Sequence, residues 1–171
     1  MAEIALVGKR GAGKVALCDD ADFARLSQYR WHLDRDGYPR TFLPAELGQR
    51  RRKTGMHQLL TDARGGYFSD HINGNPLDNR RSNLRPCTRT ENNRNRAAFR
   101  RSKTGLKGVS PWRGGFRAVI HDGRTQIFLG CFPTKELAAA AYNGAARVLH
   151  GKFARFNPIP LTASEVAHAA D

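Results

Sequence analysis

Ser69-Asp70-His71-Ile72-Asn73-Gly74-Asn75-Pro76-Leu77-Asp78-Asn79-Arg80-Arg81-Ser82-Asn83-Leu84-Arg85 is followed by Pro86-Cys87-Thr88-Arg89-Thr90-Glu91-Asn92-Asn93. Phe68–Ile72 has the make-up of a strand, and Asn73-Gly74 opens a tight turn or loop. Leu84–Cys87 is placed to return antiparallel. Thr88 with Glu91 three residues later forms a capping box, so a helix should start at Arg89. Asn92 then falls in its first turn, where a side chain can point back at the hairpin. Two strands and a helix converge on Asp70, His71 and Asn92.

These residue types suit phosphodiester cleavage. That reaction needs an activated water, neutralised phosphate charge and a stabilised leaving oxygen. The Asp70 carboxylate and the Asn92 amide oxygen are hard ligands, suited to Mg²⁺ or Mn²⁺ rather than Zn²⁺. His71 titrates near neutrality and can take a proton from water. Neighbours on a strand face opposite ways, so Asp70 and His71 share one site only where the strand ends or bends.

The stretch resembles the HNH endonucleases, specifically phage and intron-encoded homing enzymes with an Asp-His pair. Their pattern places a central Asn twelve residues after the His, and a metal-binding Asn or His nine further on. Asp70-His71, Asn83 and Asn92 fit it. The resemblance implies Asp70 and Asn92 as metal ligands and His71 as general base. It implies that Asn83 hydrogen-bonds across the hairpin and fixes the loop bearing His71, and that the products carry 3′-hydroxyl and 5′-phosphate ends. Met56-His57 matches an upstream pair in such relatives. His57 could touch a phosphate, brace the site, or simply pack at a helix start.

Residues 1–56 read as a β-rich module with one helix. Strands are expected at Ile4–Val7 and Lys14–Cys18, a helix at Asp20–Tyr29, and a hairpin from Trp31–Leu33 to Tyr38–Phe42 around Asp36-Gly37. Arg50-Arg51-Arg52-Lys53 is a basic run on a strand or loop. Gly8-Lys9-Arg10-Gly11-Ala12-Gly13-Lys14 imitates a P-loop. It has Val15 where Ser or Thr would hold magnesium, and a strand rather than a helix follows, so nucleotide binding is not expected.

Residues 57–96 form the nuclease module, and 97–104 a basic linker that is either a solvated run or an arm along the DNA backbone. In 105–157, strands are expected at Lys107–Ser110, Phe116–His121 and Gln126–Leu129, turning at Gly114-Gly115 and Asp122-Gly123. Thr134 caps a helix that runs to about His150, with Leu137, Ala141, Ala145 and Val148 on one face. Residues 158–171 read as a tail. Alternation turns Ala118, Ile120, Ile127 and Leu129 toward the helix. It turns Arg117, Val119, His121, Gln126 and Phe128 outward, and Arg, Gln and His can contact bases or phosphates. Lys107, Arg113 and Arg124 lie at strand starts or turns, fit for backbone contacts.

Gly105-Leu106-Lys107-Gly108-Val109, Trp112, Phe116–Ile120, Ile127–Gly130, Ala138–Tyr142 and His150–Asn157 resemble the Apetala-2/ERF DNA-binding domain. That family lays a three-stranded sheet in the major groove with a helix behind it. Val119 and Phe128 stand where the family often has a charged residue and Trp, so the plant target sequence does not carry over. Trp112 is open as a DNA contact or a packing residue.

Composition agrees with a polyanion partner. The chain has 171 residues, with 29 Lys+Arg against 15 Asp+Glu and a formal charge of +14. A membrane surface would need a basic amphipathic helix or a lipidation signal, and neither appears. Met1–Val7 is too short for a signal peptide. Three scattered cysteines, Cys18, Cys87 and Cys131, argue against structural zinc and a disulfide framework. The expectation is an α+β protein: a β-rich module, a ββα-metal module, and a three-stranded antiparallel sheet on one helix. It acts on double-stranded DNA in the cytoplasm of a bacterial host or phage-infected cell, as a monomer or homodimer. The alternative is a non-catalytic DNA-binding regulator.

Overall fold

The computed structural model describes residues 1–44, 51–61, 63 and 65–159. It mixes helices and strands in the α+β manner, and the chain divides into two compact units, Met1–Asn93 and Arg94–Asp171. Arg50, in the basic run, and the tail from residue 160 lie outside the described residues.

The first unit opens with an antiparallel hairpin of β1 (Ala2–Ala5) and β2 (Val15–Cys18). The Gly-rich segment joins two strands, as expected of a hairpin rather than a P-loop. Helix α1 (Asp20–Leu26) follows. Then β3 (His32–Leu33), β4 (Pro39–Leu43) and β5 (Arg52–Gly55) form a three-stranded sheet in that order. At the β3–β4 turn, Asp34 Oδ1 accepts from the backbone of Asp36 and Tyr38, and Gly37 supplies φ +87°. A short helix, α2 (Met56–Thr61), leads to β6 (Phe68–His71), β7 (Leu84–Cys87) and α3 (Arg89–Asn95).

A single core joins these parts. Ile4, Leu6, Ala16, Cys18, Leu26, Trp31, Met56 and Leu60 are buried together, with Leu77 and Leu84 packed against them. Burying that apolar surface is the main stabilising term. Trp31 is fully buried and still satisfies its indole N–H, donating to the Leu26 carbonyl at 2.8 Å. Strand β2 also grips the loop between β6 and β7. Leu17 N–H donates to Leu77 O and Asn79 N–H to Leu17 O, both at 2.8 Å. Arg81 donates to both carboxylate oxygens of Asp22, at 2.8 and 2.7 Å, and its backbone N–H to Asp19 Oδ2. The N-terminal segment is thus the frame of that loop.

The second unit is an antiparallel sheet of β8 (Val109–Trp112), β9 (Gly115–Asp122) and β10 (Thr125–Phe132), with β9 central, backed by α4 (Lys135–His150). Thr134 caps α4, accepting from Leu137 N–H. Three local expectations shift. Strand β8 starts at Val109 rather than Lys107. Gly108 has φ +72°, and a Cβ there would lie 2.3 Å from the Tyr142 ring and 2.4 Å from Val119 O. The β8–β9 turn is Arg113-Gly114, because Gly115 pairs with Trp112 and passes too close to the Phe132 carbonyl for any side chain. The buried line of α4 is Ala138, Ala139, Tyr142 and Ala146, one position from the expected face, and Leu137 and Val148 are exposed. Ile127 and Leu129 pack inward as alternation expects, and a bulge in β10 between Phe128 and Gly130 shifts the register so that Gly130, not Leu129, pairs with Ala118.

Candidate active site

Strands β6 and β7 pair in register Asp70 to Arg85 and His71 to Leu84. His71 is the last residue of β6, and its carbonyl accepts from Gly74 N–H at 2.8 Å to close the turn. The strand therefore ends where an Asp-His pair needs it to.

The loop is held by its asparagines. Asn73 Oδ1 accepts from Asn75 N–H, and Asn75 Oδ1 from Leu77 N–H, which is how Asn side chains shape turns. Asn83 is buried and closes the loop from the far side. Its Oδ1 accepts from Asn73 N–H at 2.9 Å, and its Nδ2 donates to Asp78 O at 2.7 Å and Asn73 Oδ1 at 3.0 Å. Asp78 is also buried. The Arg80 guanidinium, at 2.7 and 2.6 Å, holds its carboxyl below the usual carboxylate range.

His71 is 5% exposed. Its Nε2 lies 3.3 Å from Oδ1 of Asn79, whose own Nδ2 donates to Pro76 O at 3.1 Å. Those roles make Nε2 the protonated nitrogen and leave the lone pair on Nδ1. Burial pushes the His71 pKa below 6.5, partly opposed by the Asn79 bond and by the Asp70 and Asp78 charges. The ring is thus neutral at pH 7, and a neutral imidazole can accept a proton.

His57, on α2, is 6% exposed and packs edge-on to His71 with ring centroids 5.2 Å apart. Tyr38 touches both rings, at 5.2 and 5.8 Å. A Cβ on Gly55 would lie 2.8 Å from His57 Cε1, so β5 lies close on the imidazole. Its Nδ1 is buried without a hydrogen-bond partner, and burial, with His71 and Arg40 nearby, drives the pKa down to about 3.

Asp70 is 5% exposed, and Arg85 donates to its Oδ2 through Nε at 2.9 Å and Nη2 at 2.7 Å. Asn92 is half-buried on α3, immediately after the Thr88–Glu91 capping box, and its backbone N–H donates to the Thr88 carbonyl. There Thr88 N–H donates to Glu91 Oε2 at 2.7 Å and Glu91 N–H to Thr88 Oγ1 at 3.2 Å. The Asp70 carboxylate, which is buried, and the Asn92 amide oxygen are each hard donors of the class that divalent ions take. No three His, Cys, Asp or Glu among the described residues gather to hold an ion. Tyr38, Asn79 and Arg85 were not singled out in the sequence. Their neighbours are fixed by strand register and loop path, which spacing alone does not carry.

In the second unit, His121, Arg113, Arg124, Gln126 and Phe128 are exposed. Arg117 is half-buried, donating to Ser110 Oγ at 3.0 Å with its guanidinium 4.9 Å from the Trp112 ring centroid. Lys107 is half-buried too, and its ammonium donates to the Arg94 carbonyl. Burial lowers its pKa to about 8. No helix among the described residues is long and apolar enough to cross a membrane.

A family model described as HNH endonuclease matches residues 65–94, which span β6, the loop, β7 and most of α3. An uncharacterized HNH endonuclease of Acanthamoeba polyphaga mimivirus is 31% identical over 153 residues, 88% of this chain and 78% of that protein. Protein 3.8 of Escherichia phage T7 is 38% identical over 99 residues, 53% of this chain and 76% of its own. An ethylene-responsive transcription factor of Arabidopsis thaliana is 44% identical over 73 residues, 39% of this chain but 28% of that factor. No solved structure matches. The likeness to the mimivirus protein runs through most of both chains, so this protein belongs to the HNH endonuclease family and is a DNA-cleaving enzyme.

Proposed function

We propose that this enzyme is a metal-dependent, site-preferring endonuclease of the homing type, working in the cytoplasm of a bacterial host or phage-infected cell. His71 carries the reading: it is a buried, neutral imidazole whose Asn79 partner directs the lone pair to Nδ1. His71 Nδ1 takes the proton of the attacking water. The water oxygen bonds to phosphorus, the bond from phosphorus to the 3′ oxygen breaks, that oxygen takes a proton from solvent water, and the products carry 3′-hydroxyl and 5′-phosphate ends. Asp70 and Asn92 would hold a divalent ion, Mg²⁺ or Mn²⁺, which when bound would supply charge neutralisation for the phosphate and the departing oxygen. Asn83 keeps the loop bearing His71 in shape, and His57 braces the ring from behind.

The second unit supplies a separate grip on duplex DNA through Arg113, Arg117, His121, Arg124, Gln126 and Phe128, with Lys107 at its edge. The Apetala-2-like residues and the plant relative support that assignment. The test is supercoiled plasmid with Mg²⁺, with and without EDTA, followed by extension of the products with a polymerase. Metal-dependent nicks bearing extendable 3′ ends are expected. Tight, salt-sensitive binding without cutting would instead select a regulator.

A further inference from the structure

Arg85 is the residue the mechanism above leaves unused. It stands directly opposite Asp70 in the β6–β7 register, so both side chains share one face of the hairpin. Its guanidinium makes two bonds to the same oxygen, Asp70 Oδ2. Asp70 is 5% exposed and the Arg85 side chain 14%, so water screens this pair weakly. A full positive charge is thereby fixed on the carboxylate that the proposed function gives to the divalent ion.

Two consequences follow from electrostatics. Without metal, Arg85 compensates a buried carboxylate that would otherwise be costly, and it fixes the Asp70 rotamer. With metal, two cations share one carboxylate and repel each other. A DNA phosphate entering the site brings the negative charge that offsets this repulsion.

We propose that Arg85 couples metal binding to DNA binding: it weakens the free enzyme's hold on the ion, and the phosphate of bound DNA restores it. Arg85 is a positioning residue here, acting through Asp70. The inference rests on Asp70 being a metal ligand. Coupling is reciprocal, so the ion raises DNA affinity by the same factor that DNA raises ion affinity.

The experiment is Mn²⁺ titration of the full chain, read as free Mn²⁺ by electron paramagnetic resonance. It is run without DNA and with a short duplex, in a His71→Ala background that keeps the duplex intact, and corrected for Mn²⁺ on duplex alone. Arg85→Gln, which keeps a hydrogen-bond donor but loses the charge, should bind Mn²⁺ roughly tenfold tighter than its parent without DNA, a size usual for coupled sites. The gap should shrink when duplex is present, and Arg85→Lys should stay near the parent. Equal or weaker binding by a folded Arg85→Gln protein overturns the proposal. Should that variant not fold, the parent alone decides: duplex must raise its Mn²⁺ affinity, and Mn²⁺ its duplex affinity, by one common factor. Absence of that coupling is equally fatal. Asp70→Asn separates the two readings. If it binds Mn²⁺ like its parent, the metal site itself is misassigned. If it loses Mn²⁺ while Arg85→Gln changes nothing, only the coupling falls.

Discussion

At the scale of single residues, the proposed chemistry rests on which nitrogen of His71 carries the proton, and the Asn79 Oδ1 contact favours Nε2. Asn79 is fully buried, so losing its Oδ1 leaves the imidazole Nε2–H without this acceptor. Asn79→Leu should lower the cleavage rate by about 10- to 100-fold, the usual effect of a group that orients another. Mn²⁺ binding should be unchanged, and rate and titration measured side by side check both. His57 gives a pH signature of stability rather than of rate. Its folded pKa is near 3, against 6.5 for an ordinary histidine. Below 6.5 the unfolded chain takes up a proton that the folded one refuses. The stabilising contribution is therefore full above pH 6.5 and is lost as pH falls toward 3, by about 1.4 kcal/mol per unit. The melting temperature of wild type should fall more steeply than that of His57→Phe as pH drops below 6.5, because only wild type carries this acid-sensitive group. Asp70, His71, Asn83 and Asn92 could be named as candidates because their spacing is local. Arg85 was not, since it meets Asp70 only through strand register.

At the scale of elements, the hairpin and α3 were readable because turn and capping residues signal locally. Asn73-Gly74 and the Thr88–Glu91 box lie where the structure has the turn and the helix start. Thr88→Ala removes one arm of the box at the head of a seven-residue helix. It should cost about 1 kcal/mol, lower the melting temperature, and weaken Mn²⁺ binding through the placement of Asn92. Unchanged Mn²⁺ binding in calorimetry would detach Asn92 from the metal. Helix α4 was misread by one position for a physical reason. The run Ala138–Ala141 is apolar all round and gives no periodic signal, so the exposed Leu137 and Val148 biased the face. The large buried residue is Tyr142, and its ring is what excludes a side chain at Gly108. The β10 bulge was equally hidden, because Leu129 and Gly130 alternate like any strand.

At the scale of the molecule, a charge of +14 favours long-range attraction to DNA, and the proposed function gives cutting to the first compact unit and a grip on duplex to the second. The frame role of residues 1–56 was not legible. It comes from contacts such as Arg81–Asp22 that join positions far apart in sequence. An Arg113→Ala, Arg124→Ala, Gln126→Ala triple variant should weaken duplex affinity and flatten its salt dependence. It should leave single-turnover cleavage at saturating protein unchanged, which anisotropy and quenched-flow assays would read separately. The most direct test of the whole account is the single-turnover rate of plasmid nicking in Mg²⁺ by wild type and His71→Ala, at protein concentrations that saturate both. A fall of at least about 100-fold with duplex affinity retained is expected of a lost general base. Nicking by His71→Ala at the wild-type rate would contradict it.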